Sequence, residues 1–262
     1  MQLRGATVVV TGGSRGIGAG IVAAFAEQGA NIVNGDLLAV PDVAAAWEET
    51  KAAAQAAGVS TAEADTDVRD EASCQALMRT ALDAFGRIDV VCANAGVIGL
   101  GPIADFDAAE WDRILDVNAK GVFLTCKAAI PALVGQGSGC FVNTASIAGK
   151  RGGARAAAYC ASKFAVVGFT QSLAMEMAPH GVRANSICPG YLGTSMWLND
   201  ILAGEAAAGR DAGETFEKMS AERVPLGRPQ TPADIGEAAV YLARTDNVTG
   251  IALTVAGGLE VW

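Results

Sequence analysis

Short apolar runs alternate with longer stretches whose apolar residues recur every three or four positions, from one end of the chain to the other. ATVVV (6–10), ANIVNGD (30–36), IDVVCAN (88–94), GCFVNTAS (139–146), VRANSICPG (182–190) and GIALTVAGG (250–258) read as buried strands. VSTAEAD (59–65) is a weaker candidate for a seventh. Helical patterns cover residues 16–29, 41–57, 70–85, 107–135, 155–178 and 232–244, with Gly, Pro, Asp or Asn at each boundary. This alternation predicts an α/β fold, a doubly wound parallel sheet of about seven strands with helices on both faces. Residues 195–224 break the rhythm and predict extra helices with Gly-rich joints. Ligands of such sheets bind beyond the C-terminal strand ends, so this insertion is a candidate substrate lid.

The 262 residues hold no repeat and no low-complexity linker, which predicts one domain over 1–262. The net charge is -9, a poor match for nucleic acid or an anionic membrane face. The first apolar run is too short for a signal peptide, and no later run reaches spanning length, so the expected address is the cytoplasm. The six cysteines form no C-x-x-C pair and His180 stands alone, so no metal site is expected and buried free thiols are.

VVVTGGSRGIGAG sets glycines directly after the first strand and at the start of a helix. Gly12, Gly16 and Gly18 let backbone N–H groups approach a pyrophosphate, and the helix adds its positive end. Gly12-x-Ser14-x-Gly16 also satisfies a hydrolase elbow. That reading puts the nucleophile after the first strand and leaves only His180 as base, so the dinucleotide reading is preferred. Asp36, ending the second strand, suits the hydroxyls of an adenosine ribose and repels a 2′-phosphate, which favours NAD over NADP. Arg15 points the other way.

The chain has three tyrosines, and only Tyr159 is followed by Lys four positions on in a helical stretch. The two share a face, and an ammonium beside a phenol favours the phenolate, which makes the pair a candidate general acid/base. An oxidised nicotinamide ring acts in the same direction.

At these residues the chain resembles the short-chain dehydrogenase/reductase family over nearly its full length. TGGSRGIG looks like the family's phosphate loop, and Asn94-Ala95-Gly96 like its N-A-G motif. Asn118, Ser146, Tyr159 and Lys163 match its catalytic tetrad in order and spacing, and PGYLGT its nicotinamide stretch. The resemblance implies a Rossmann-type fold with Ser146 holding the substrate oxygen and Tyr159 moving its proton. Lys163 binds the nicotinamide ribose and Asn118 anchors a water. It also implies cofactor contacts from Ser14, Arg15, Ile17, Val68, Pro189 and Gly190. Thr194 takes the carboxamide and Asp67 the adenine edge; read from the residues alone, Asp67 approaches a helix start at which Asp70 is the better cap candidate. Two positions depart from the pattern: Ala93 where Asn is common, and Ala256 where Asp is common.

PGYLGTSMW (189–197), the charged stretch after it and VPLGRPQTPADI (224–235) look like the branch of the family that includes acetoin reductases, butanediol dehydrogenases and sugar-alcohol dehydrogenases. That branch implies a small polyol, vicinal diol or hydroxyketone in a pocket edged by Ser146, Tyr159, Tyr191 and Trp197; the alternatives are an NADPH-dependent ketone or 3-oxoacyl reductase and a non-catalytic dinucleotide sensor on the same fold. Asn199 and Asp200 are candidate hydroxyl ligands or an exposed lid face, and Arg151 and Arg155 read as solvated in preference to binding an anionic group such as a sugar phosphate. Relatives form dimers or tetramers through the two long helices, here 107–135 and 155–178, with the C-terminal strand as a second contact, so a homotetramer is expected, with Trp262 packing on a neighbour or entering its pocket.

Overall fold

A computed structural model describes residues 1–202 and 209–261. Residues 203–208 of the expected lid, and Trp262, lie outside the described residues. In chain order the elements are β1 (Thr7–Thr11), α1 (Gly16–Glu27), β2 (Asn31–Asp36), α2 (Pro41–Ala56), β3 (Thr61–Asp65) and α3 (Glu71–Phe85). Next come β4 (Val90–Ala93), α4 (Ala108–Leu115), a π turn (Asp116–Lys120), α5 (Gly121–Gln136) and β5 (Gly139–Thr144). The remainder is α6 (Ala157–Met177), β6 (Val182–Pro189), a second π turn (Met196–Ile201), α7 (Ala212–Arg223), α8 (Pro232–Arg244) and β7 (Ala252–Val255).

The seven strands form one parallel sheet in the order β3-β2-β1-β4-β5-β6-β7. The weak candidate at 59–65 is thus the edge strand β3. Alternate residues of each strand point to opposite faces, so β1 serves two cores. Val8 and Val10 pack with Phe25 of α1, Trp47 of α2 and Leu242 of α8. Val9 packs with Leu77 of α3, Leu133 of α5 and Leu173 of α6. Phe25 and Phe141 are fully buried and each stabilises the fold by about 1.5–3 kcal/mol. The strand order reverses between β1 and β4, so the connections that follow them run to opposite sides and leave a crevice beyond their C-terminal ends.

The pattern at 107–135 predicts one helix. The structure interrupts it with the π turn at 116–120, which carries Asn118. By length and composition the continuous run 108–136 can cross a membrane, contrary to the expectation that no segment can. It lies instead against the sheet, where Val122, Cys126, Ala129 and Leu133 are buried in the core, so it is a core helix. All six cysteines are buried free thiols.

Candidate active site

The crevice opens into a cleft of about 950 Å³. Its floor begins at the loop after β1. Gly12 and Gly16 have φ of 67° and 55°, a region that L side chains rarely adopt. A Cβ on Gly18 would run into the carbonyl oxygen of Gly12. The loop therefore closes only with glycine there, and the backbone is left bare to the cleft. Asn94 braces it: its Nδ2 donates to the carbonyls of Thr11 (3.1 Å) and Gly12 (3.2 Å), and its Oδ1 accepts from Thr144 Oγ1 at 3.1 Å.

Asp36 is anchored at the end of β2. One carboxylate oxygen accepts from the N–H of Ser14 at 3.1 Å and the other from the N–H of Leu37 at 2.9 Å. Each oxygen keeps a lone pair for a further donor. Ser14 is the exception among the expected cofactor contacts: it does not line the cleft. It is buried, its Oγ accepts from Asn34 Nδ2 at 3.1 Å, and its carbonyl accepts from Thr50. A serine so placed holds the loop and Asp36, and it is no hydrolytic nucleophile. Asp67 lines the cleft beside Val68, but Arg69 grips its carboxylate at 2.6 Å and holds it below the usual carboxylate range. The better cap candidate, Asp70, does cap α3, accepting from the N–H of Ala72 at 3.0 Å.

The loop after β5 and the first turns of α6 bring the chemistry together. Ser146 starts a tight turn, its Oγ accepting from the N–H of Ala148 at 3.1 Å, and Tyr159 hydrogen-bonds Ser146. Lys163 lies one turn along α6 on the same face, its Nζ 5.7 Å from the centre of the Tyr159 ring. That Nζ donates to the carbonyl of Thr144 at 2.8 Å. Burial pushes the Tyr159 phenol up to about 12, and the Ser146 hydrogen bond offsets only part of the rise. Burial lowers Lys163 to about 8. Burial thus opposes the lowering expected from the ammonium and an oxidised nicotinamide ring together, and the ammonium itself is turned to Thr144.

Asn118 sits behind the cleft wall, fully buried. Its Oδ1 accepts from the N–H of Val97 at 2.8 Å, and its Nδ2 donates to the Val97 carbonyl (2.8 Å) and to Ser162 Oγ (3.0 Å). Both amide hydrogens are thus spent. Asn118 Oδ1 and Lys163 Nζ flank Gly96, where a Cβ would lie 3.3 and 3.6 Å from them. Arg15, Ile17, Ala95, Pro189, Gly190 and Thr194 all line the cleft. At its far end Tyr191 packs tilted against Trp197 with centroids 4.5 Å apart, and Trp197 likewise against Phe216 at 5.5 Å. Asp200 lines this end, but Asn199 does not.

Sequence reasoning did not single out Thr144, Ser162, Arg113 or Phe216, whose parts depend on contacts distant in the chain. It also read Arg151 as solvated, whereas Arg151 Nε lies 3.0 Å from Oε2 of Glu260. Ala256 is buried under Gly190. Beside Gly190, the side-chain oxygen of Gln230 is buried without a partner among the described residues.

A glycine-only loop at the sheet's switch point, an anchored carboxylate after β2, and a phenol and lysine across the cleft define a dinucleotide-dependent oxidoreductase of Rossmann type. The comparisons give the family. The short chain dehydrogenase profile matches residues 6–202. A 3-alpha-(or 20-beta)-hydroxysteroid dehydrogenase of Mycobacterium bovis is 36% identical over 261 residues, covering 98% of this chain and 90% of that protein. Galactitol 2-dehydrogenase of Agrobacterium fabrum is 34% identical over 250 residues, covering 94% and 93%. The structure of NAD+-bound xylitol dehydrogenase superimposes with a TM-score of 0.89 at 30% identity, covering 98% and 100%. The chain belongs to the short-chain dehydrogenase/reductase family, whose members oxidise or reduce at CH–OH groups with NAD(P).

Proposed function

We propose that the protein transfers a hydride between NAD(H) and a secondary alcohol or its ketone, a small polyol, vicinal diol or hydroxyketone. The observation that carries this reading is the Ser146–Tyr159–Lys163 cluster facing a cleft floored by the glycine loop. The cleft fits a dinucleotide, because the Gly18 position has no room for a side chain and the loop backbone stays bare. Gly12, Arg15, Gly16, Ile17 and Gly18 hold the pyrophosphate side, Asp36 the ribose, Val68 and Asp67 the adenine side, and Pro189, Gly190 and Thr194 the nicotinamide side. Asp36 favours NAD, since its fixed carboxylate accepts ribose hydroxyls and repels a phosphate at the same place.

When bound, the nicotinamide ring supplies the acceptor or donor of the hydride and, oxidised, a positive charge near the phenol. Ser146 orients the substrate oxygen and Tyr159 exchanges its proton, while Lys163 binds the nicotinamide ribose and contributes charge. Asn118 keeps the wall behind Lys163 in register through Val97 and Ser162. Tyr191 and Trp197 form the outer wall of the substrate space, and the π turn Met196–Ile201 and α7 are read as its lid on one domain. The cytoplasmic address is an inference of the same standing. Phe123 on α5 and Phe164 and Met175 on α6 are exposed, which supports assembly through these helices into a homotetramer.

A panel of diols, polyols and cyclic alcohols assayed with NAD and with NADP tests the proposal. Turnover of a polyol or diol with a clear preference for NAD is the expected result. A strong preference for NADPH with ketone substrates overturns the role given to Asp36.

A further inference from the structure

We propose that Arg151, held in place by Glu260, binds an oxyanion group of the substrate, a carboxylate or its equivalent, on the part of the molecule remote from the reacting carbon. The inference rests on the dehydrogenase reading above and adds the substrate's charge to it. Arg151 follows the turn that Ser146 begins and lines the same cleft as Tyr159. Its Nε is 3.0 Å from Glu260 Oε2, yet the two partners differ in exposure: the Glu260 side chain is 4% exposed and that of Arg151 47%. A buried carboxylate is costly unless a cation meets it. Here the cation it meets is half-exposed and lines the cleft. A guanidinium has five N–H donors, so tying it at Nε fixes the plane and leaves its terminal nitrogens as a fork suited to a carboxylate.

The surroundings point the same way. Arg113, also on the cleft wall, is committed: it grips Glu110 through Nε (2.7 Å) and Nη2 (2.6 Å), and Nη2 also reaches the carbonyl of Ile98. Ile98, Leu100, Tyr191 and Trp197 supply apolar wall. Arg223 also lines the cleft, but from the exposed end of α7, whereas Arg151 directly follows the turn that carries Ser146, so a distal anionic group on a small substrate finds its charge partner at Arg151.

The test compares β-hydroxybutyrate with its neutral amide, each with NAD, in the wild type, Arg151→Lys, Arg151→Met and the double variant Arg151→Met/Glu260→Gln. The double variant guards against misfolding from a stranded Glu260. The ratio of kcat/KM for the acid to that for the amide is expected to fall at least about tenfold in both Met variants, mainly through KM, and to recover partly in Arg151→Lys. A ratio that stays the same, with both substrates affected equally or not at all, overturns the inference and reduces the pair to a structural tie. If the wild type turns over neither compound, calorimetric binding of β-hydroxybutyrate to the enzyme with NADH decides. Weaker binding in the double variant supports the inference, and equal binding overturns it. The polyol reading stands or falls separately, on the alcohol panel.

Discussion

At the residue scale the account turns on Tyr159 and Lys163, which burial moves in opposite directions. The lysine sits at about 8 in the folded chain against its ordinary 10.5. Between those values the unfolded chain holds a proton that the folded chain has released. Stability therefore rises with pH through this window, and below it the buried ammonium is a cost. Tyr159 lies at about 12 against 10.0, so between those values the unfolded chain has already lost its proton and stability falls as pH rises. Denaturation midpoints of the wild type and Lys163→Met, followed upward from neutral pH, should show the gain above pH 8 only in the wild type. Parallel curves would mean that Lys163 is not desolvated. Asp36 is testable at the same scale. Asp36→Ala should lower the preference for NAD over NADP by at least about tenfold, read as the ratio of kcat/KM values. An unchanged ratio would remove the carboxylate from cofactor choice.

At the scale of elements, the π turn at 116–120 places Asn118 where it can pair both polar groups of Val97. Asn118→Leu strands those groups in the wall and should cost about 1–3 kcal/mol for each one left unsatisfied, seen in a urea titration, together with a fall in turnover. A variant as stable and as active as the wild type would show that the turn positions nothing. The sequence revealed what short spacing encodes. The glycines follow β1 within a few positions, Tyr159 and Lys163 are one helical turn apart, and Asp70 stands directly before its helix. It did not reveal the π turn, because the apolar period runs through 107–135 without a break. It did not reveal the Arg151–Glu260 pair or the Lys163–Thr144 contact either. Those partners meet only once the sheet has formed, and nothing local marks them. Nor did it reveal how strongly burial opposes the ammonium, because proximity along a helix says nothing of how much water is removed from both groups.

At the scale of the whole molecule, the parallel sheet brings the loop after β1, the carboxylate after β2, the wall after β4 and the phenol after β5 to one edge. The acidic surface and the exposed Phe123 and Phe164 bear on assembly. Sedimentation of a Phe123→Asp/Phe164→Asp variant should show a smaller species than the wild type, and an unchanged mass would place the subunit contact elsewhere. The central claim is that a dinucleotide cleft and a proton-exchanging phenol are separate parts of one device. Tyr159→Phe measured in parallel for turnover and for NAD affinity tests it most directly. The account predicts turnover lower by about 10²–10⁴-fold with NAD affinity nearly unchanged. Retained turnover, or equal loss of both, would contradict it.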